Sequence, residues 1–81
     1  MIMNLDNIIK DVVMKIVNMK DGESSTIRQL VNEKLSTKEM FEIQKNVIKQ
    51  LSDKNIILDY SKYDNQVVGL LFDLDFIKKT N

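Results

Sequence analysis

The sequence predicts an α+β domain of three helices followed by a β-hairpin, and three observations carry that expectation. Apolar residues recur at three-and-four spacing through the first half of the chain, as one face of a helix requires. The capping signal Ser36-Thr37-Lys38-Glu39 opens the longest of these stretches. Beyond Asn55 the pattern changes to alternation, as in strands with one packed face.

The first helix is expected over 5–19. Leu5, Ile8, Ile9, Val12, Val13, Ile16 and Val17 line one face of it. Asn4 suits the N-cap, and Asp6 complements the positive end of the helix dipole. The β-branched content would fit strands too, but strict period-2 alternation is missing. "KDGESS" then reads as a turn with Asp21-Gly22 at its corner.

A short second helix comes from Ile27, Leu30, Val31 and Leu35 in "STIRQLVNEKL", capped by Ser25 or Thr26. Thr26-Ile27 is the alternative site of a brief strand ahead of it. In the third helix the Ser36 hydroxyl accepts from the Glu39 amide while the Glu39 carboxylate reaches back. Met40, Ile43, Val47 and Leu51 form its apolar stripe, with Phe41 and Ile48 on one flank. It ends near Ser52-Asp53-Lys54-Asn55, where Asn55 suits the left-handed residue after a helix.

Two strands follow. Ile56, Leu58 and Tyr60 alternate with Ile57 and Asp59. After the polar loop "SKYDNQ", Val68, Leu70, Phe72, Leu74 and Phe76 fall on one face of a long second strand. Lys78 and Lys79 are expected in a frayed tail.

Composition bounds the rest. The 81 residues make one domain, 1–81, which buries only about 60–65% of the surface its unfolded chain exposes. A small core of this kind favours a homodimer, and Met1, Met3, Met14, Met19 and Met40 are either gap-fillers or, for Met14 and Met19, part of a pairing surface. At 43% hydrophobic and 30% charged the chain is globular. Cysteine and histidine are both absent, which removes disulfides, thiolate metal sites, the commonest zinc ligand and every triad built on Ser-His or Cys-His. No enzyme activity, metal or cofactor is expected. No apolar run approaches the ~20 residues of a membrane span, so a cytoplasmic protein without a membrane partner is expected. Richness in Ile, Lys and Asn points to a low-GC coding sequence, as in a small bacterial or phage protein.

Helix, brief strand or turn, helix, helix, hairpin is the order of a winged helix-turn-helix domain, which the chain resembles. "VIKQLSDKNII" is similar to the passage from recognition helix to first wing strand. "STIRQLVNEKL" is similar to the helix before the turn, and "DYSKYDNQVVGLLFDL" to the wing and its return strand. The resemblance extends over about 5–76 and is one of pattern. Two departures stand out. Asn55 takes a place where many members carry glycine, and the usual positive excess is missing: Lys and Arg total 12, Asp and Glu 12.

The resemblance implies a regulator or accessory protein that binds double-stranded DNA. The third helix would lie in the major groove, with the hairpin tip on the backbone. Lys38, Glu42, Lys45 and Lys49 fall within about 60° of one another on that helix. Ser36, Thr37 and Lys38 would then approach bases or phosphates, Lys45 and Lys49 phosphates, and Asn46 an adenine edge. At the tip, Lys62 would follow a phosphate and Tyr63 a sugar, with Asn65 and Gln66 beside them. The competing reading is a solvated face whose Glu42 pairs with Lys38 and Lys45 and whose Asp53 pairs with Lys49. A module that binds a protein partner is the alternative function. Asp73 and Asp75 fall on one strand face, where the pair could bind Mg²⁺ weakly or serve acid–base chemistry, the expected reading being simply the wet face of an edge strand.

Overall fold

A computed structural model of the chain describes residues 4–63 and 70–81. The elements, in order, are helix α1 (Leu5–Val17), strand β1 (Ser24–Ser25), helix α2 (Ile27–Leu30), helix α3 (Thr37–Asp53), strand β2 (Ile56–Asp59) and strand β3 (Phe76–Thr80), with 3-10 turns at Ser61–Tyr63 and Leu71–Asp73. The three strands form one antiparallel sheet in the order β1-β3-β2. Among the described residues no helix is long and apolar enough to cross a membrane.

Both long helices form where their local signals place them. The Asn4 side chain accepts from the Asp6 and Asn7 amides at the start of α1. Ser36 and Glu39 complete the reciprocal cap of α3. Ile8, Ile9, Val12, Val13 and Ile16 of α1 are buried against Met40, Ile43, Val47 and Leu51 of α3. Asn55 takes a positive φ of 62°, the left-handed turn that lets the chain reverse from α3 into β2.

Three expectations need correction. The second helix is a single turn. Thr26 caps it, with Gln29 closing the capping box, and the chain turns extended at Val31. Val31 is buried and Leu35 packs on the core without helical backbone, so residues 31–36 serve as a spacer that carries the chain to the Ser36 cap. The alternation does not make a strand across 70–75. Leu71–Asp73 is a 3-10 turn that buries Phe72, and the strand begins only at Phe76. The Phe72 amide donates 2.9 Å to Gln44 Oε1, a side chain of α3, and so needs no ladder partner. Leu70, expected inside, is 47% exposed, and Val68 lies outside the described residues.

The third correction concerns the last residues. Lys78 and Lys79 belong to β3, the central strand of the sheet, and not to a frayed tail. Ile57 faces Lys79, Leu58 faces Lys78, and Ser24 and Asp59 flank Ile77 on either side. Phe76 and Lys78 point inward with Ile56, Leu58 and Tyr60, and Lys78 is only 5% exposed. Its ammonium is discharged onto backbone: Nζ donates to the carbonyls of Val17 and Met19 at the end of α1. The Val17 carbonyl is one that a helix C-terminus leaves without a partner of its own, and Met19 lies two residues beyond it. Lys15 does the same for α2, donating 2.9 Å to the Leu30 carbonyl while paired with Asp11.

Candidate functional site

The exposed side of α3 is the surface on which the sequence placed most of its candidates. The apolar stripe turns Met40, Ile43, Val47 and Leu51 inward, and so Lys38, Glu42, Lys45 and Lys49 outward, all four exposed. Among the described residues no carboxylate pairs with Lys38 or Lys49. Lys45 has one, Glu42 Oε1 at 3.5 Å, one turn back on the same helix. Asp53 does not pair with Lys49. The result is a row of three cations with one anion at its side.

The N-terminal end of α3 is less open to an anion than its position suggests. The Ser36 hydroxyl accepts from the Glu39 amide and donates 3.0 Å to Glu39 Oε1. The same carboxylate accepts from the Ser36 amide, and these bonds hold the Glu39 carboxyl below its ordinary range. A fixed negative charge therefore occupies the first turn. Thr37 is exposed beside it. Asn46 spends its amide on its own helix, Nδ2 donating 2.8 Å to the Glu42 carbonyl.

Lys62 and Tyr63 are joined by Asp75, not set free at a tip. Lys62 Nζ lies 3.4 Å from Asp75 Oδ2, and the Asp75 amide donates 3.1 Å to the Tyr63 hydroxyl. Lys62 also sits 5.3 Å from the Tyr63 ring centre. Asn65 and Gln66 lie outside the described residues. Asp73 and Asp75 do not share a strand face. Asp73 instead holds Arg28, whose guanidinium also lies 5.1 Å over the Phe72 ring. The Asp73 hydrogen bond and charge hold the Arg28 pKa above its ordinary value. No local signal announces either carboxylate's partner: the contacts span 13 and 45 residues. Among the described residues no group of three or more potential ligands is placed to hold a metal ion.

The chain thus defines an α+β class with three helices and a three-stranded antiparallel sheet, carrying a row of lysines on its longest helix. Comparison with known proteins adds no match to it: no family model, no curated protein and no solved structure matches the chain.

Proposed function

We propose that the chain is a small winged-helix DNA-binding protein, a regulator or accessory factor, that sets the exposed side of α3 against the duplex. The observation that carries this reading is the row Lys38, Lys45 and Lys49, of which only Lys45 has a carboxylate partner among the described residues. Unspent cations on one helix face are what phosphate contact requires, because neutralised phosphates release counterions and supply the affinity. The element order and the strand order β1-β3-β2 are compatible with a winged-helix layout, in which Lys62 and Tyr63 fall between the two long-paired strands. Zero net charge is compatible with a locally positive face: Lys38, Lys45 and Lys49 share one side of α3, whereas Asp59, Asp73 and Asp75 belong to other segments, each paired with a cation there.

Fluorescence anisotropy on a labelled duplex tests the reading. Binding at low salt that weakens steeply as salt rises supports it, and the double substitution Lys45→Glu with Lys49→Glu should abolish it. Absence of binding at low salt ends it. One observation favours a second reading, a module for a protein partner or a second copy of itself. Met14 is 58% exposed and Val17 39%, side by side on the outward face of α1. Sedimentation equilibrium decides whether that face pairs two copies, with Met14→Lys as the disrupting variant.

A further inference from the structure

Resting on the DNA-binding reading above, we propose that the α3 face contacts duplex phosphates without reading base sequence, and that Glu42 limits this contact by holding Lys45. Bases are discriminated best by a planar fork on guanine, which arginine forms and lysine imitates only loosely, or by a side-chain amide on adenine. This chain has one arginine, Arg28, which belongs to α2, not to the α3 row, and is engaged by Asp73 and the Phe72 ring. The amide beside the lysine row, Asn46, donates to the Glu42 carbonyl. Gln44 Oε1 is taken by the Phe72 amide. Ser36 is consumed by its cap. What remains on the row is lysine, a compact charge on a flexible stem that fits phosphate without fixing a base.

The spacing suits a linear polyanion. Lys38 to Lys45 is about 10.5 Å along the helix axis and Lys45 to Lys49 about 6 Å. A duplex carries one charge per ~1.7 Å of its axis, and its major groove is about 12 Å wide. Each lysine can therefore meet its own phosphate, on both rims of the groove. Glu42 opposes this twice, by repelling the backbone and by pairing with Lys45 at 3.5 Å. Replacing it with a neutral isostere frees a third cation.

The experiment uses the full chain and two short duplexes of equal length, one A·T-rich and one G·C-rich, with phosphatidylglycerol vesicles as a second polyanion. Dissociation constants for the two duplexes should agree within about 3-fold, and two neutralised phosphates should weaken wild-type binding about 12-fold between ~50 and ~200 mM salt. Glu42→Gln, its fold checked by circular dichroism, should bind more tightly, and its log–log salt slope should steepen by up to about 0.9. A preference above about 10-fold, the scale of a single base-pair mismatch, overturns sequence independence and leaves the DNA reading standing. Unchanged binding by Glu42→Gln overturns the role given to Glu42. Equal or tighter binding to the vesicles overturns the choice of duplex as the partner. No binding to either duplex at low salt overturns the inference and the reading beneath it together.

Discussion

Lys78 Nζ donates 2.9 Å to the carbonyl of Val17, tying the central strand to the end of α1 across 61 residues of sequence. The same ammonium donates to Met19, and the backbone of Lys78 closes the contact from the other side. Its carbonyl accepts from Gly22 and its amide donates to Glu23, both at 2.9 Å. Gly22 makes this turn at φ 91°, a conformation that side chains with a Cβ rarely adopt. One residue therefore holds the helix end, the turn after it and β3 together. A buried ammonium is costly to place, and the Val17 carbonyl at the negative end of the helix, with the Met19 carbonyl just beyond it, offsets that cost.

Lys78→Met keeps the buried stem and deletes the donor, leaving the Val17 and Met19 carbonyls without their bonds. The expected loss is about 2 kcal/mol of unfolding free energy in urea. Lys79→Met is the control. Lys79 is an exposed partner of Asp59, and its loss should cost much less than that of Lys78. Equal losses for the two would show that the ammonium of Lys78 contributes little beyond its charge.

Ser36 was a DNA-contact candidate by position, but its hydrogen bonds make it a cap. Ser36→Ala should destabilise the fold by about 1 kcal/mol, visible as a lower urea midpoint. Its effect on duplex binding, measured where the variant is fully folded, should be negligible beside that of Lys45→Glu with Lys49→Glu. A large binding defect in folded Ser36→Ala would return the residue to the interface.

The contrast between Ser36 and Lys78 shows what the sequence made legible. Signals that act within one or two turns, the Asn4 cap, the Ser36-Glu39 box, the stripe from Met40 to Leu51 and the left-handed Asn55, were all readable and all occur. Ile56, Leu58 and Tyr60 also turn inward as their alternation demands. What could not be read was decided by distant partners. Phe72 leaves the strand pattern because Gln44, 28 residues earlier, takes its amide, and Lys78 is buried because the end of α1 needs a cation. The lysine row on α3 followed from helical geometry, whereas the disposal of Asp73 and Asp75 on Arg28 and Lys62 did not.

Asp59 predicts an acid limb of stability. Its carboxylate lies 2.6 Å from Lys79 Nζ and accepts 2.8 Å from the Ser61 amide. The Lys79 bond first, and then Ser61, hold its pKa far below the ordinary range. Because the folded pKa is depressed, the stabilisation is complete above the unfolded value near about 4 and drains away as pH falls through the folded one. Urea midpoints between about pH 5 and pH 2 should therefore fall more steeply for the wild type than for Asp59→Asn. Parallel curves would show that Asp59 is not held in the folded chain.

Tyr60 predicts the opposite limb. Its ring meets Phe76 edge-on with centroids 6.2 Å apart, and its buried hydroxyl has no hydrogen-bond partner among the described residues. Burial, with a smaller contribution from Tyr63, pushes its pKa up to about 12. The neutral phenol is the form the fold favours. Its contribution is therefore complete below the unfolded value near about 10 and is lost as pH rises from there through the folded value. Tyr60→Phe keeps the ring and removes both the unpartnered oxygen and the titration. At neutral pH it should be as stable as the wild type or more so, by up to about 1 kcal/mol. Between about pH 10 and pH 12 its urea midpoint should decline less than that of the wild type. A clear loss of stability in Tyr60→Phe at neutral pH would show that the hydroxyl is hydrogen-bonded in the folded chain.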